Sequence, residues 1–199
     1  MIKALARVTL LLLLPISIYS NFLINDHIIS PKASSLIEKI GQEAREKTSI
    51  NLYVVATTSQ VGKGVNLYEY IKRYSSSLSK PYIVIFFAPT TKRIGILTSD
   101  QKLKSYFDRD DVLDYAIKII ETPDKNSLQS KYDVGIVQAY SELADEVASK
   151  KGIKLNSTIK NETNWLLKIV TWMVYLGAIL VFWVYFFRPL FRRIFNVKK

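Results

Sequence analysis

An apolar run near the carboxyl end, residues 165–187, constrains this chain most. Lys168 is the one charged residue in it. At ~1.5 Å per residue, a helix of this length can cross the ~30 Å hydrocarbon layer of a membrane. Trp165, Trp183 and Tyr185 lie near its ends, where amphipathic rings anchor a helix at the lipid headgroups. We therefore predict one transmembrane helix; a core helix is the alternative, but it would carry a polar face.

Charges at the two ends of the chain predict its orientation. Arg188, Arg192 and Arg193 begin a basic tail, 188–199, and positive residues stay in the cytoplasm. Residues 1–20 have a basic start and then an apolar stretch, which is typical of a secretory signal, cleaved or retained as an anchor. Both ends place the intervening residues on the periplasmic, extracytoplasmic side of a bacterial inner membrane, with the carboxyl terminus in the cytoplasm.

The net charge of +11 comes mostly from these ends. They hold eight of the 28 lysines and arginines and none of the 17 acidic residues, which leaves 20 basic residues against 17 acidic ones in the middle. The high charge therefore reflects membrane topology, and we predict no nucleic-acid partner. The absence of cysteine excludes disulfides and thiolate metal sites.

Residues 22–150 have the pattern of one layered α/β domain. The apolar spacing predicts helices near 31–47, 67–78, 112–120 and 132–147, and strands at 50–58, 81–89 and 93–97. A helix between the first two strands indicates a parallel crossover, whereas the short connection to the third strand indicates an antiparallel hairpin. The fold class is a small mixed β-sheet covered by helices. A polar stretch, 151–164, is predicted to link this domain to the membrane helix.

Four carboxylates lie close to the start of the third predicted helix: Asp108, Asp110, Asp111 and Asp114. Such oxygens are the ligands that calcium and magnesium prefer. The same residues also suit a helix start, because Asp108 can cap the helix and acids in the first turn complement its dipole. The glycine and final glutamate of an EF-hand loop are missing, and helix capping and metal binding stay open as interpretations.

The order of these segments resembles the TPM domain family, small α/β domains of the thylakoid lumen, bacterial envelopes and animal membrane proteins. The resemblance covers about 22–150 and rests on "NDHIISPKASSLIEKIGQEAREKTSINLYVVATT", "NLYEYIKRYSSSL", "YIVIFFAPTTKRIGI" and "DDVLDYAIKII". It matches Asp26 to the family's early aspartate, and Asp111 or Asp110 to the acid at the start of the third helix. The resemblance thus implies these three residues as ligands of calcium or magnesium.

The resemblance implies divalent-cation binding, a modest phosphatase activity, and the assembly or maintenance of membrane complexes. In this chain "SSSLSK" and "LTSDQKL" replace polar family segments that help to build a pocket. "VGKG" at 61–64 lacks the glycine spacing of a P-loop, and His27 has no second histidine to support a triad. We therefore predict a membrane-tethered binding or assembly module for envelope proteins; the alternative is a weak divalent-cation-dependent phosphatase.

Overall fold

The three apolar runs predicted as strands belong to a four-stranded sheet, in which the first two lie at the centre and the third lies at one edge. The computed structural model describes residues 21–74, 76–159, 162–183 and 185, with side chains of the last helix described from residue 172 onward. The chain separates into two compact units, Met1–Thr158 and Ile159–Lys199. The predicted signal, 1–20, and the basic tail, 188–199, lie outside the described residues.

The sheet is mixed, as the sequence predicts. Its strands are β1 (Leu23–Asn25), β2 (Asn51–Ala56), β3 (Tyr82–Ala88) and β4 (Arg93–Thr98), in that spatial order. β1, β2 and β3 run parallel, and β4 pairs with β3 antiparallel. The first three strands therefore end together, at what we call the carboxyl edge of the sheet; β4 ends at the opposite, amino edge.

Four helices lie among the described residues of the first unit. They are α1 (Pro31–Thr48), α2 (Leu67–Ile71), α3 (Arg109–Glu121) and α4 (Leu128–Lys150), with a 3-10 turn at Lys72–Tyr74 directly after α2. α1 begins as expected, with Ser30 as its cap and Pro31 in the first turn. α2 is shorter than predicted, because the chain tightens into the 3-10 turn after Ile71.

The helices cover both faces of the sheet. α1, α3 and α4 pack on the face that carries Leu52, Val54 and Ile85. α2 and the loop before it pack on the other face, which carries Tyr53 and Phe86. All six residues of β2 are buried, as the continuous apolar run predicts for a strand covered on both sides.

The two parallel crossovers have opposite hands. β1 connects to β2 through α1 on one face, and β2 connects to β3 through α2 on the other, although both steps go in the same direction across the sheet. One of them therefore departs from the right-handed rule for such connections.

Residues 151–158, predicted as the first part of a linker, lie against α1 in the first unit. Leu155 is buried in the main core, and Lys47 Nζ donates to the Lys154 carbonyl at 3.0 Å. Thr158 Oγ1 donates to Asp145 on α4 at 2.8 Å. This segment is therefore part of the folded domain.

The second unit contains α5 (Glu162–Phe182). Its described side chains, at 172–183 and 185, are exposed, including Trp172 at 69% and Tyr185 at 73%. Within the described part of the chain, no helix combines the length and the apolar character needed to span a membrane. The transmembrane helix stays a prediction from the sequence.

Candidate functional site

Asp26 lies directly after β1, at the carboxyl edge. Its amide donates to the Ala56 carbonyl at 3.0 Å, which continues the β1–β2 pairing by one residue. Its Oδ2 accepts hydrogen bonds from Thr57 Oγ1 at 2.7 Å and from the Thr58 amide at 3.1 Å. In α/β sheets, ligands bind in the crevice outside the carboxyl ends of the strands. Asp26 is exposed and occupies this position.

Two tyrosines extend the polar groups around Asp26. Tyr70 is buried, and its hydroxyl lies 3.4 Å from Thr57 Oγ1. Burial raises the pKa of Tyr70, but hydrogen bonds with Ser59, Thr57 and other neighbours outweigh it and lower the pKa below its ordinary value. Burial and the hydrogen bond with Tyr70 raise the pKa of Tyr74. We call Asp26, Thr57, Tyr70 and Tyr74 the carboxyl-edge cluster; its oxygens can bind a cation or hydrogen-bond a polar ligand.

An apolar pocket of about 480 Å³ opens at the same edge, where β3 and β4 meet the facing ends of α3 and α4. It is lined by Phe87, Pro89, Lys92, Arg93, Ile94, Ile117, Ile120, Glu121, Leu128 and Tyr132. Phe87 and Tyr132 form an edge-to-face pair with ring centroids 5.2 Å apart. Leu128 is 63% exposed. The pocket can accept an apolar side chain beside two cations.

The acids at the start of α3 act as helix-terminal groups. Asp108 accepts hydrogen bonds from the amides of Asp110 at 2.9 Å and Asp111 at 3.3 Å, which is the geometry of an N-cap. The Asp108 amide in turn donates to Glu146 Oε2 at 2.6 Å. Burial raises the pKa of Glu146, and the nearby negative charges of Glu142, Asp111 and Asp108 add to the increase.

The structure does not bring the predicted metal ligands together. Asp26 lies at the carboxyl edge, whereas Asp110 and Asp111 are in the first turn of α3, and the residues just before them, Asp108 and Arg109, line a depression with Thr98 at the amino edge. The seven residues of β3 span about 20 Å between these edges. Among the described residues, no group of three or more His, Cys, Asp or Glu side chains is placed to hold a metal ion.

No sequence pattern points directly to the tyrosine part of the carboxyl-edge cluster. Tyr70 falls in the segment that resembles the TPM family, but its apolar spacing is equally that of a core residue, and it is both buried and hydrogen-bonded. "VGKG" is a plain loop held by Arg93, which donates to the carbonyls of Gly62 at 2.6 Å and Val65 at 2.9 Å.

The residues predicted to anchor the membrane helix are only partly described. Trp183 and Tyr185 are exposed, at 55% and 73%. The side chain of Trp165, and Arg188, Arg192 and Arg193, lie outside the described residues. Their role as anchors stays a prediction.

A scan against protein-family models and a search of curated proteins both find no match. Among solved structures, the N-terminal domain of a protein from P. gingivalis is similar to this chain, with a TM-score of 0.53, 10% identity, and coverage of 69% of this chain and 88% of that domain.

Two further likenesses have TM-scores below 0.5. The N-terminal domain of the cg2496 protein from Corynebacterium glutamicum gives 0.48 at 16% identity, over 73% of this chain and 90% of that one. The BA42 protein from the psychrophilic bacterium Bizionia argentinensis gives 0.43 at 18% identity, over 68% and 96%. At 10% identity, the likeness to the P. gingivalis domain establishes a shared fold over 69% of this chain and nothing about function.

Proposed function

We propose that this chain is a membrane-tethered, extracytoplasmic TPM-like domain that binds envelope or membrane proteins and helps to assemble or maintain them. The observation that carries the proposal is the apolar pocket at the carboxyl edge, with the exposed Leu128 at its rim. Open apolar surface of this kind marks sites of protein interaction. The fold shared with the P. gingivalis domain supports the TPM-like part. The apolar run 165–187 and the basic tail support the tether.

A cation-dependent phosphatase is the second candidate, and the exposed Asp26 favours it. Its carboxylate lies at the carboxyl edge, where α/β domains bind ligands, beside two tyrosines whose pKa values are shifted in opposite directions. Phosphoryl transfer also needs charge stabilisation around the phosphoryl group. The other predicted acids lie at the far edge of the sheet, and the binding role is therefore preferred.

Photo-crosslinking in intact membranes tests the binding role. A photoreactive phenylalanine analogue at Leu128 should give a discrete adduct with another envelope protein, whereas the same group at Lys39, on the exposed side of α1, should not. Loss of the gene should also reduce the assembled amount of the crosslinked protein. No adduct at Leu128, together with hydrolysis of p-nitrophenyl phosphate that needs magnesium or calcium and fails in Asp26→Asn, would put the phosphatase first.

Protease protection tests the predicted topology. Protease added to intact spheroplasts should digest residues 22–160, while a tag after Lys199 survives. A protected domain with a digested tag would place the domain in the cytoplasm and reject the extracytoplasmic role.

A further inference from the structure

β4 is an edge strand, and its outer side faces no other strand among the described residues. The Ser99 amide donates to the Tyr82 carbonyl at 2.9 Å, in register with the β3–β4 ladder. Ser99 and Tyr82 are therefore a hydrogen-bonded pair, and such pairs alternate with non-hydrogen-bonded pairs along an antiparallel ladder. Every second residue of β4 consequently directs its amide and carbonyl away from β3.

The outward-facing residues are Ile94, Ile96 and Thr98. The opposite strand confirms the alternation, because the carbonyl of Phe87, the partner of Ile94, accepts from the Thr57 amide at 2.9 Å on the β2 side. Three alternate residues thus direct their amides and carbonyls to the outer side of β4, where Ile94 and Ile96 are half-buried and Thr98 is 9% exposed. An edge strand of this kind is a template for a further strand.

Two depressions lie along the outer, unpaired side of β4. The apolar pocket described above includes Ile94 at one end of β4. A second depression of about 400 Å³ includes Ile96 and Thr98 at the other end, and its remaining lining residues are Tyr68, Lys104, Phe107, Asp108 and Arg109. We call the outer edge of β4 with its two depressions the β4 groove.

The spacing of the β4 groove suits an extended peptide. Ile94 and Thr98 are four residues apart, about 13 Å along a strand, and alternate side chains of a paired strand point to the same face. The side chains of Ile94 and Ile96 lie on the face covered by α3, partly buried against the core. A peptide paired with β4 would direct alternate side chains between α3 and the sheet, toward both depressions.

Charge favours an acidic partner. The lining residues include four cations, Lys92, Arg93, Lys104 and Arg109. They also include Glu121 and Asp108, but the Asp108 carboxylate already accepts hydrogen bonds from the start of α3. Two of the cations are likewise engaged, because Arg93 donates to the carbonyls of the 62–65 loop and Arg109 lies 3.6 Å from Asp110. Lys92 and Lys104, both exposed, are therefore the cations offered to a partner. Cations lie at both ends of β4, so antiparallel pairing of two copies would bring like charges together.

We propose that the β4 groove binds an extended segment of a partner protein as a fifth strand, with apolar side chains in the two depressions and acidic side chains beside the cations. Main-chain hydrogen bonds provide affinity in this mode of recognition, and the pockets for alternate side chains provide specificity. This assignment rests on the proposed function, because it specifies how a protein-binding domain holds its partner.

The test uses the full-length chain in lipid nanodiscs and a displayed library of random twelve-residue peptides. Enriched peptides should alternate apolar residues with others and carry Asp or Glu. Ile96→Pro removes one outward amide at an edge position that tolerates proline, and it should bind these peptides about tenfold more weakly. Lys104→Glu should also weaken binding, whereas Lys39→Glu, an equal charge change on the outer side of α1, should not.

Amide hydrogen exchange provides a measurement on the unmodified chain. Without peptide, the amides of Ile94, Ile96 and Thr98 should exchange faster than those of Gly95 and Leu97, which face β3. Bound peptide should slow the three outward amides specifically. This pattern does not depend on whether the proline variant folds.

Several outcomes would overturn the proposal. They are the absence of enriched peptides, enriched peptides that leave the outward amides unprotected, and peptides that bind Ile96→Pro and Lys104→Glu like the unmodified chain. A dimer that Ile96→Pro abolishes would assign the β4 groove to a second copy instead.

If the Leu128 crosslink forms while this test fails, only the groove assignment is rejected. If peptides bind the β4 groove but no crosslinked partner exists, the proposed function is rejected.

Discussion

At the scale of single residues, Glu43 connects α1 to residues 156–157 by hydrogen bonds. It accepts hydrogen bonds from the amides of Asn156 at 2.9 Å and Ser157 at 2.7 Å, and from Lys47 Nζ at 2.7 Å. Burial would raise its pKa, but these hydrogen bonds outweigh burial and lower the pKa from 4.5 to about 2. The ionised carboxylate therefore stabilises the contact between α1 and residues 156–157.

We expect Glu43→Gln to lower the free energy of unfolding at pH 7 by about 1–3 kcal/mol, because charge-assisted hydrogen bonds are lost. A folded-state pKa below the unfolded value gives stability that is present above pH 4.5 and is lost as the pH falls toward about 2. The difference between the two proteins should therefore shrink over that range, as measured by urea unfolding at a series of pH values.

The control for this prediction is Glu46→Gln, at an exposed position of the same helix where the carboxylate accepts a hydrogen bond from Gln42 at 3.0 Å. It should change stability little at any pH. An equal loss in both variants would show that Glu43 does not act through residues 156–157.

Asp26 and Asp111 should behave as independent sites. They lie at opposite edges of the sheet, and effects on stability add when residues are more than about 10 Å apart and share no partner. The melting-temperature changes of Asp26→Asn and Asp111→Asn should therefore sum in the double variant, with or without millimolar calcium. Non-additivity that appears only with calcium would show that one ion binds both residues.

The residues of the candidate site were only partly predictable. The Asp108 cap follows from local sequence, because a cap involves amides two and three residues away. The contact between Asp26 and Thr57 depends on the register of β1 with β2, which no local pattern specifies. The separation of Asp26 from Asp111 likewise depends on strand direction. The family resemblance assigned both residues to one site without any information on strand direction.

At the scale of elements, α1 and α4 approach closely at Gly41. A Cβ added there would lie 2.5 Å from the Tyr140 hydroxyl and 2.6 Å from the Phe22 ring. The same hydroxyl donates to the Leu52 carbonyl at 2.8 Å, in the buried core. Gly41 thus allows a helix-to-helix contact and a helix-to-sheet hydrogen bond together.

We expect Gly41→Ala to destabilise the domain by about 1–3 kcal/mol, because overpacking outweighs the better helix propensity of alanine. Gly64→Ala is the matched control, since a Cβ at Gly64 has no atom within 4 Å. Thermal unfolding followed by circular dichroism should separate the two variants. A gain in stability for Gly41→Ala would mean that Tyr140 and Phe22 move aside without cost.

Most elements could be predicted because their apolar periods are long. β2 and β3 are continuous apolar runs, and α1, α3 and α4 have clear helical spacing. β1 has three residues, too few to show a period, and it forms because β2 pairs with it. Which face each helix covers, and hence the opposite hands of the two crossovers, is a tertiary property that no single segment encodes.

At the scale of the whole molecule, the first unit should fold without the second. Its two core clusters include residues from 22 to 155, and the boundary between the units falls after Thr158. A fragment of residues 21–158 should be soluble and unfold cooperatively on heating. The tryptophans, Trp165, Trp172 and Trp183, all follow the boundary, and the fragment should show tyrosine emission. Aggregation or a non-cooperative transition would show that the domain needs residues beyond 158.

The docked segment 151–158 also has a mechanical consequence. If the chain is tethered as proposed, a pulling force from the membrane side loads the hydrogen bond from Thr158 to Asp145 first and those from residues 156 and 157 to Glu43 next, before it reaches the sheet. Detaching these eight residues would lengthen the tether by up to about 28 Å while β1 to β4 stay paired. Such an extension would expose Leu155 from the main core and break the hydrogen bonds to Glu43, and the pH dependence of Glu43 would therefore set part of the force that the extension requires.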